Sequence, residues 1–182
     1  MYGKGCRLLS WRHAHGPRPG VGMEVQRGLM QEKHGGATSG PMDLRVWVRL
    51  LSCVVRIEKL LRRNFAEQFD TTLPRFDVMA SLDRFPEGQT MGELSRALLV
   101  SNGNVTAIVR QLEAQKLVAS RVDPQDRRSA IVALTQEGKR RFDEMAVAHH
   151  QWIRERMAHF PLEKQRQLFE LLAELKISIG RE

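Results

Sequence analysis

The 182-residue sequence predicts a mainly α-helical chain that carries one small β-hairpin. Three observations lead there. Long stretches repeat apolar residues at the 3.6-residue spacing of a helix. Two helix-start signals stand almost back to back, at Thr90 and Ser101. Beyond Leu117 the period changes from helical to extended, over two short apolar runs separated by a turn.

The first helix is expected from Asp43, as N-cap, to Phe69. Leu44, Trp47, Val48, Leu51, Val54, Val55, Leu61 and Phe65 recur along it at helical spacing. A helix of this length exceeds what one small core needs, which points to contacts beyond the chain. Thr71 to Pro74 interrupts the pattern. Pro74, a residue suited to the first turn of a helix, opens a second one over Arg75–Arg84. Phe85-Pro-Glu-Gly88 ends it.

Thr90-Met-Gly-Glu93 has the spacing of a capping box, in which hydroxyl and carboxylate each satisfy an amide of the other's residue. It starts a short helix that ends near Leu98. Ser101 starts the next, to Leu117, with Val105, Ile108, Val109 and Leu112 facing the core. The opposite face carries Asn102, Asn104, Thr106, Arg110 and Gln111, side chains that hydrogen-bond base edges and phosphates. Two short helices joined by a tight turn describe a helix-turn-helix.

Val118–Val122 and Ala130–Leu134 read as strands, and the turn Asp123-Pro-Gln-Asp-Arg-Arg-Ser129 between them sets Arg127 and Arg128 at a hairpin tip. A basic hairpin directly after a helix-turn-helix makes a winged helix. Thr135 caps a further long helix, to about His159, with Phe142, Met145, Ala146, His149, Trp152, Ile153 and Met157 as its stripe. Pro161 restarts a last helix whose Leu168, Leu171, Leu172, Leu175 and Ile179 exceed what a peripheral helix requires. The expected architecture is thus a winged helix-turn-helix lobe at about residues 72–135, bracketed by dimerisation helices at about 43–69 and 136–180.

Residues 1–42 differ in kind. They hold most of the glycines and no sustained apolar period, and are expected to form a disordered basic extension. Met23, Met30 and Met42 are alternative starts within it. The formal net charge is +8, and an excess of base favours polyanionic partners through counterion release. Six basic residues against Glu24 and Glu32 give the extension +4 of that, so the rest is only mildly basic.

Two cysteines, Cys6 and Cys53, exclude a disulfide framework, and no Cys/His cluster has zinc-ligand spacing. His149 and His150 are adjacent on a helix, point about 100° apart and cannot share a metal. No phosphate loop, nucleophile elbow or metal motif occurs, so an enzyme is not expected, nor a cofactor. Neither a membrane span nor a secretory h-region is present, and the expected location is the cytoplasm.

The order of elements and several local strings resemble the MarR family (multiple-antibiotic-resistance regulators). The strings are Gly92-Glu-Leu-Ser95, Ser101-Asn-Gly-Asn-Val-Thr106, Leu112-Glu113, Leu117-Val118, Asp126-Arg-Arg128, Val132-Ala-Leu-Thr135 and Gly138. The resemblance covers about residues 43–180. It implies a homodimer with interleaved first and last helices. It also implies recognition helices in successive major grooves of double-stranded DNA and wings in the flanking minor grooves. Asp126 and Arg128 resemble the family's wing acid and arginine, a pair that braces the hairpin. One or both of Arg127 and Arg128 would enter a narrow, strongly negative minor groove.

Asp70-Thr-Thr-Leu-Pro-Arg-Phe-Asp77 and the Ser-Asn-Gly-Asn-Val-Thr string are most similar to regulators of aromatic-acid catabolism. Several of these respond to hydroxycinnamoyl- or benzoyl-coenzyme A thioesters. The function implied is a repressor released from a palindromic operator by an aromatic ligand or aromatic acyl-CoA. Trp47, Arg49, Arg56, Arg75, Phe76 and Trp152 are the candidate effector lining, between the dimerisation helices and the lobe. Two other classes stay open: a redox-sensing regulator using Cys53, whose apolar neighbours suggest an inert packed thiol, and a non-specific architectural DNA binder.

Overall fold

The computed structural model describes residues 40–180. Its elements run α1 (Met42–Phe69), α2 (Leu73–Asp83), β1 (Gln89–Thr90), α3 (Met91–Leu98), α4 (Asn102–Ala114), β2 (Val118–Val122), β3 (Ala130–Leu134), α5 (Gln136–Met157) and α6 (Leu162–Ile179). The fold is mainly α with a three-stranded antiparallel sheet in the order β1-β3-β2, that of winged helix-turn-helix proteins. The extension expected over residues 1–42 lies, but for its last three residues, outside the described residues.

Local chemistry explains the element boundaries. The N-cap of α1 is Pro41, two residues before the expected Asp43, which stands instead in the first turn, where a carboxylate suits the positive end of the helix. α2 begins two residues earlier, with Thr72 as cap and Pro74 inside its first turn. Thr90 and Glu93 form both halves of the capping box: the Glu93 amide donates to the threonine hydroxyl at 3.2 Å, and the Thr90 amide donates to the carboxylate at 2.8 Å. Ser101 caps α4 and Thr135 caps α5.

α4 stops at Ala114, short of the expected Leu117, because the chain turns through a left-handed residue, Lys116, at φ 58°. Glycine is the usual occupant of such a site, and its absence hides the stop from a sequence reading. The Thr135 hydroxyl then donates to the Lys116 carbonyl at 2.8 Å, joining the end of α4 to the start of α5. Gly138 makes that junction possible: a Cβ there would lie 1.8 Å from the Leu117 carbonyl oxygen.

β1, which has no counterpart in the sequence reading, is two residues long and too short to show a period. It exists because the free edge of β3 accepts it, pairing Gln89 with Val132 and Thr90 with Ile131. The Ser81 hydroxyl donates to the buried Gln89 side chain at 2.8 Å, so this end of the sheet carries no unsatisfied polar group.

One core runs through the lobe and into α1 and α5. It joins Phe65, Phe76, Val78, Met79 and Leu82 with Leu94, Val105, Val109, Leu112, Val132 and Met145. At its centre Phe65 lies 4.6 Å from the Phe76 ring and 5.1 Å, edge-on, from the Trp152 ring. His149 lies against Phe76 at 4.9 Å, and burial, followed by the neighbouring His150, holds its pKa below the usual imidazole value. The N-terminal half of α1 and the whole of α6 stand apart from this core; α6 has no buried residue. Among the described residues, no helix is long and apolar enough to cross a membrane.

Candidate nucleic-acid interface

α4 is held from one side. Val105, Val109 and Leu112 are fully buried and Ile108 packs against the same core. The 3.6-residue period therefore turns Asn102, Asn104, Arg110 and Gln111 outward, and all four are exposed. Ser101 is exposed as well, and its hydroxyl accepts from the Asn104 amide at 3.4 Å. The remaining first-turn amides of α4 lack intrahelical acceptors, and such a terminus attracts phosphate. Thr106 differs from its expected role: its hydroxyl donates to the Asn102 carbonyl at 2.8 Å, so it is engaged within the helix. Gln111 is also engaged, accepting from the Arg75 guanidinium at 3.1 Å.

The hairpin follows the expected register, from Val118 opposite Leu134 to Val122 opposite Ala130. Its tip is built by carboxylates that take backbone amides. Asp123 accepts from the Gln125 amide at 2.9 Å, and the Asp126 carboxylate accepts from the Arg128 amide at 3.0 Å. Ser129 donates to the Asp126 carbonyl at 2.8 Å and closes the turn. Asp126 thus braces the wing through the backbone of Arg128; among the described residues no ion pair joins the two side chains. Arg127 and Arg128 are exposed at the tip.

Two contacts at the root of the wing escaped the sequence reading. The Ser120 hydroxyl donates to Glu113 on α4, and the Arg121 guanidinium donates to the Glu87 carbonyl at 3.0 Å. They tie the hairpin to α4 on one side and to the turn before β1 on the other. Ser120 and Arg121 are adjacent in β2 and so point to opposite faces, which is how one strand makes both ties.

The six residues expected to line an effector site do not converge. Phe76 and Trp152 are buried in the aromatic core, because the stripes that carry them close against each other within one chain. Arg75 is joined to Gln111 on α4. Trp47 and Arg49 lie on the exposed first half of α1. Arg56 alone lines a cleft, of about 960 Å³, between the middle of α1 and the end of α5. Lys59, Arg63 and Arg156, absent from the expected set, line it with Arg56. Arg56, Lys59 and Arg63 recur at one-turn spacing along α1, a sequence signal that could have found them.

Cys53 also lines this cleft and is exposed, contrary to the packed thiol expected from its apolar neighbours. Val54 and Val55 beside it are exposed too, since the apolar stripe of α1 outruns the core of one chain. Among the described residues, no group of three or more His, Cys, Asp or Glu side chains lies close enough to hold a metal ion.

Residues 69–129, from the end of α1 through the wing tip, match the model of the MarR family. The Transcriptional activatory protein BadR of Rhodopseudomonas palustris is 31% identical over 114 residues, 60% of this chain. The chain spans 65% of that relative's length, a little under two thirds. A MarR family transcriptional regulator from Silicibacter pomeroyi superposes with a TM-score of 0.65 at 28% identity, over 76% of this chain and 95% of its own. CouR of Rhodococcus jostii RHA1, solved bound to p-coumaroyl-CoA, shares the fold at a TM-score of 0.65 and 18% identity, over 75% of this chain and 95% of its own. Residues 69–129 are thus similar to the MarR family, and the fold is shared with solved MarR family regulators.

Proposed function

We propose that this chain is a transcriptional regulator of the MarR family, that it works as a homodimer on a palindromic operator and that a small effector sets its occupancy. The observation that carries the reading is the co-display of an outward α4 face and a braced wing tip on one packed lobe. Asn102 and Asn104 lie in the first turn of α4, where recognition helices meet base edges in the major groove. Arg110, further along, reaches phosphate. Arg127 and Arg128 supply the positive charge that a narrow minor groove attracts.

The dimer has its own support. Leu168, Phe169, Leu171, Leu172 and Leu175 of α6 are exposed in one chain, as are Leu44, Val46 and Trp47 of α1. Large apolar side chains exposed in this number support a partner interface. We accordingly divide the chain into a reading lobe at about 72–135 and dimerisation helices on either side of it. Two lobes related by a two-fold axis read half-sites about 34 Å apart. In this scheme the effector favours a dimer whose lobes are wrongly spaced, by its differential affinity for the two spacings. Repression follows where the operator overlaps a promoter. The relation to BadR, named an activatory protein, fits the same head on an operator placed upstream.

The test is selection of duplexes from a random pool by the full-length protein. An enriched inverted repeat, bound far more tightly than a scrambled duplex at equal salt, is the expected outcome. Equal binding to both would leave a non-specific architectural protein instead.

A further inference from the structure

We infer that Glu113 of α4 and Arg121 of β2 are specificity-determining positioning residues: they fix the direction of the wing relative to α4, and so the spacing at which the two parts meet DNA. The hairpin needs such fixing. Its outer strand, β2, pairs only with β3, and of its five residues only Val118 is buried. β3 is better anchored, by the fully buried Val132 and by β1 along its other edge, but the pairing with β1 ends at Ile131. The hydrogen bonds that close the tip join residues 123–129 to one another, and so leave its direction open.

Two side-chain bonds supply the direction, one from each face of β2. Ser120 shares the face of Val118, and its hydroxyl donates to the Glu113 carboxylate, a charge-assisted bond to the helix that carries Asn102 and Asn104. On the other face the Arg121 guanidinium donates to the Glu87 carbonyl at 3.0 Å. That carbonyl is a firm anchor. Gly88 beside it has φ 90° and lies so close to β3 that a Cβ would come within 2.6 Å of the Ile131 side chain and the Val132 carbonyl oxygen. Tilting the hairpin either way strains one tie or the other. Neither Glu113 nor Arg121 belongs to the hydrophobic core, so the lobe folds without these two side chains. A wing held in this way accepts one spacing between the bases under Asn102 and Asn104 and the minor groove under Arg127 and Arg128. A loose wing accepts several. This rests on the proposed reading of α4 and the wing as DNA contacts.

The full-length protein carries the test, in two measurements. Without DNA, residual dipolar couplings of backbone amides report the direction of the hairpin relative to α4. In the parent, β2, β3 and α4 are expected to fit one common orientation. In Glu113→Ala/Arg121→Ala, the couplings of β2 and β3 are expected to shrink toward the tip while those of α4 hold. With DNA, affinity is measured for the palindrome that the parent selects, and for a version with a base pair inserted between each major-groove half-site and its flanking minor-groove segment. The parent is expected to bind the inserted version about tenfold or more less tightly, the scale of one misread base pair. The double alanine variant is expected to bind the selected palindrome more weakly than the parent and to discriminate between the two by less than about threefold. Glu113→Gln/Arg121→Lys, which keeps an acceptor and a donor in place, is expected to keep the parent's preference. A general loss of stability, or of one positive charge, weakens both duplexes alike and leaves the ratio unmoved. Unchanged hairpin couplings in the alanine variant, an unchanged spacing preference in it, or a preference lost equally in the conservative variant would overturn the assignment. A parent indifferent to the inserted base pair would overturn it as well. A pool that yields no palindrome refutes the proposed function instead, and the couplings then decide whether the two residues orient the hairpin.

Discussion

The lobe from Leu73 to Leu134 and the helix α6 handle apolar surface in opposite ways. In the lobe, Val78, Met79, Leu94, Val105, Val109 and Val132 are each fully enclosed by other residues of the same chain. Its caps and turns are satisfied locally, down to the paired Ser81 and Gln89. In α6, Leu171 is 61% exposed and Phe169 71%, and no residue is buried. The lobe is completed within the chain, by α1 and α5, whereas the last helix and the start of α1 leave their apolar side chains exposed. In the proposed dimer, two such heads on a shared frame move apart without being unfolded.

The largest effect expected from this contrast concerns α6. Leu171→Glu/Leu172→Glu removes four apolar side chains from a two-fold interface, about 6 kcal/mol or more of association energy. Sedimentation equilibrium should show a monomer, while circular dichroism shows the lobe still helical. A dimer of unchanged affinity would break the comparison. Next comes Gly138→Ala, where α5 meets the end of α4. With backbone atoms of Leu117 in the way of a Cβ, it should cost about 3 kcal/mol, measured by urea denaturation.

A smaller change has the opposite sign. Lys116→Gly relieves a left-handed lysine, and after the extra flexibility of glycine it should stabilise by about 0.5–1 kcal/mol. Thermal unfolding checks it. The smallest effect is a pH dependence. Burial holds the His149 pKa below its usual 6.5, so the unfolded chain binds the proton more readily. Stability from this group is full above pH 6.5 and declines as the pH falls through that value toward the lower, folded-state pKa. His149→Gln should flatten that part of the curve of melting temperature against pH, relative to the parent.

The same contrast decides what was legible in the sequence. Element types and most boundaries were, because capping residues act within a few positions of themselves: Thr90 with Glu93, Ser101 with Asn104, Thr135 with Gly138. The end of α4 was not, since Lys116 occupies a conformation that sequence readers assign to glycine. β1 was not, since its only cause is the edge of β3, far away in the chain. The outward face of α4 and the register of the hairpin were legible as one face of one helix plus one turn. The effector lining was not: whether Phe76 and Trp152 face a ligand or each other depends on how three helices close. Of that set only Arg56 lines a cleft.

The claim that this lobe reads DNA through its wing as well as its helix meets its most direct test in Arg127→Ala/Arg128→Ala. Affinity for the selected palindrome is to be measured at fixed salt, with the sedimenting mass followed in parallel. The expected result is a dimer of unchanged mass whose operator affinity falls about tenfold or more, at about 1–3 kcal/mol for each lost groove contact. An intact dimer that binds its palindrome as tightly as the parent would contradict it.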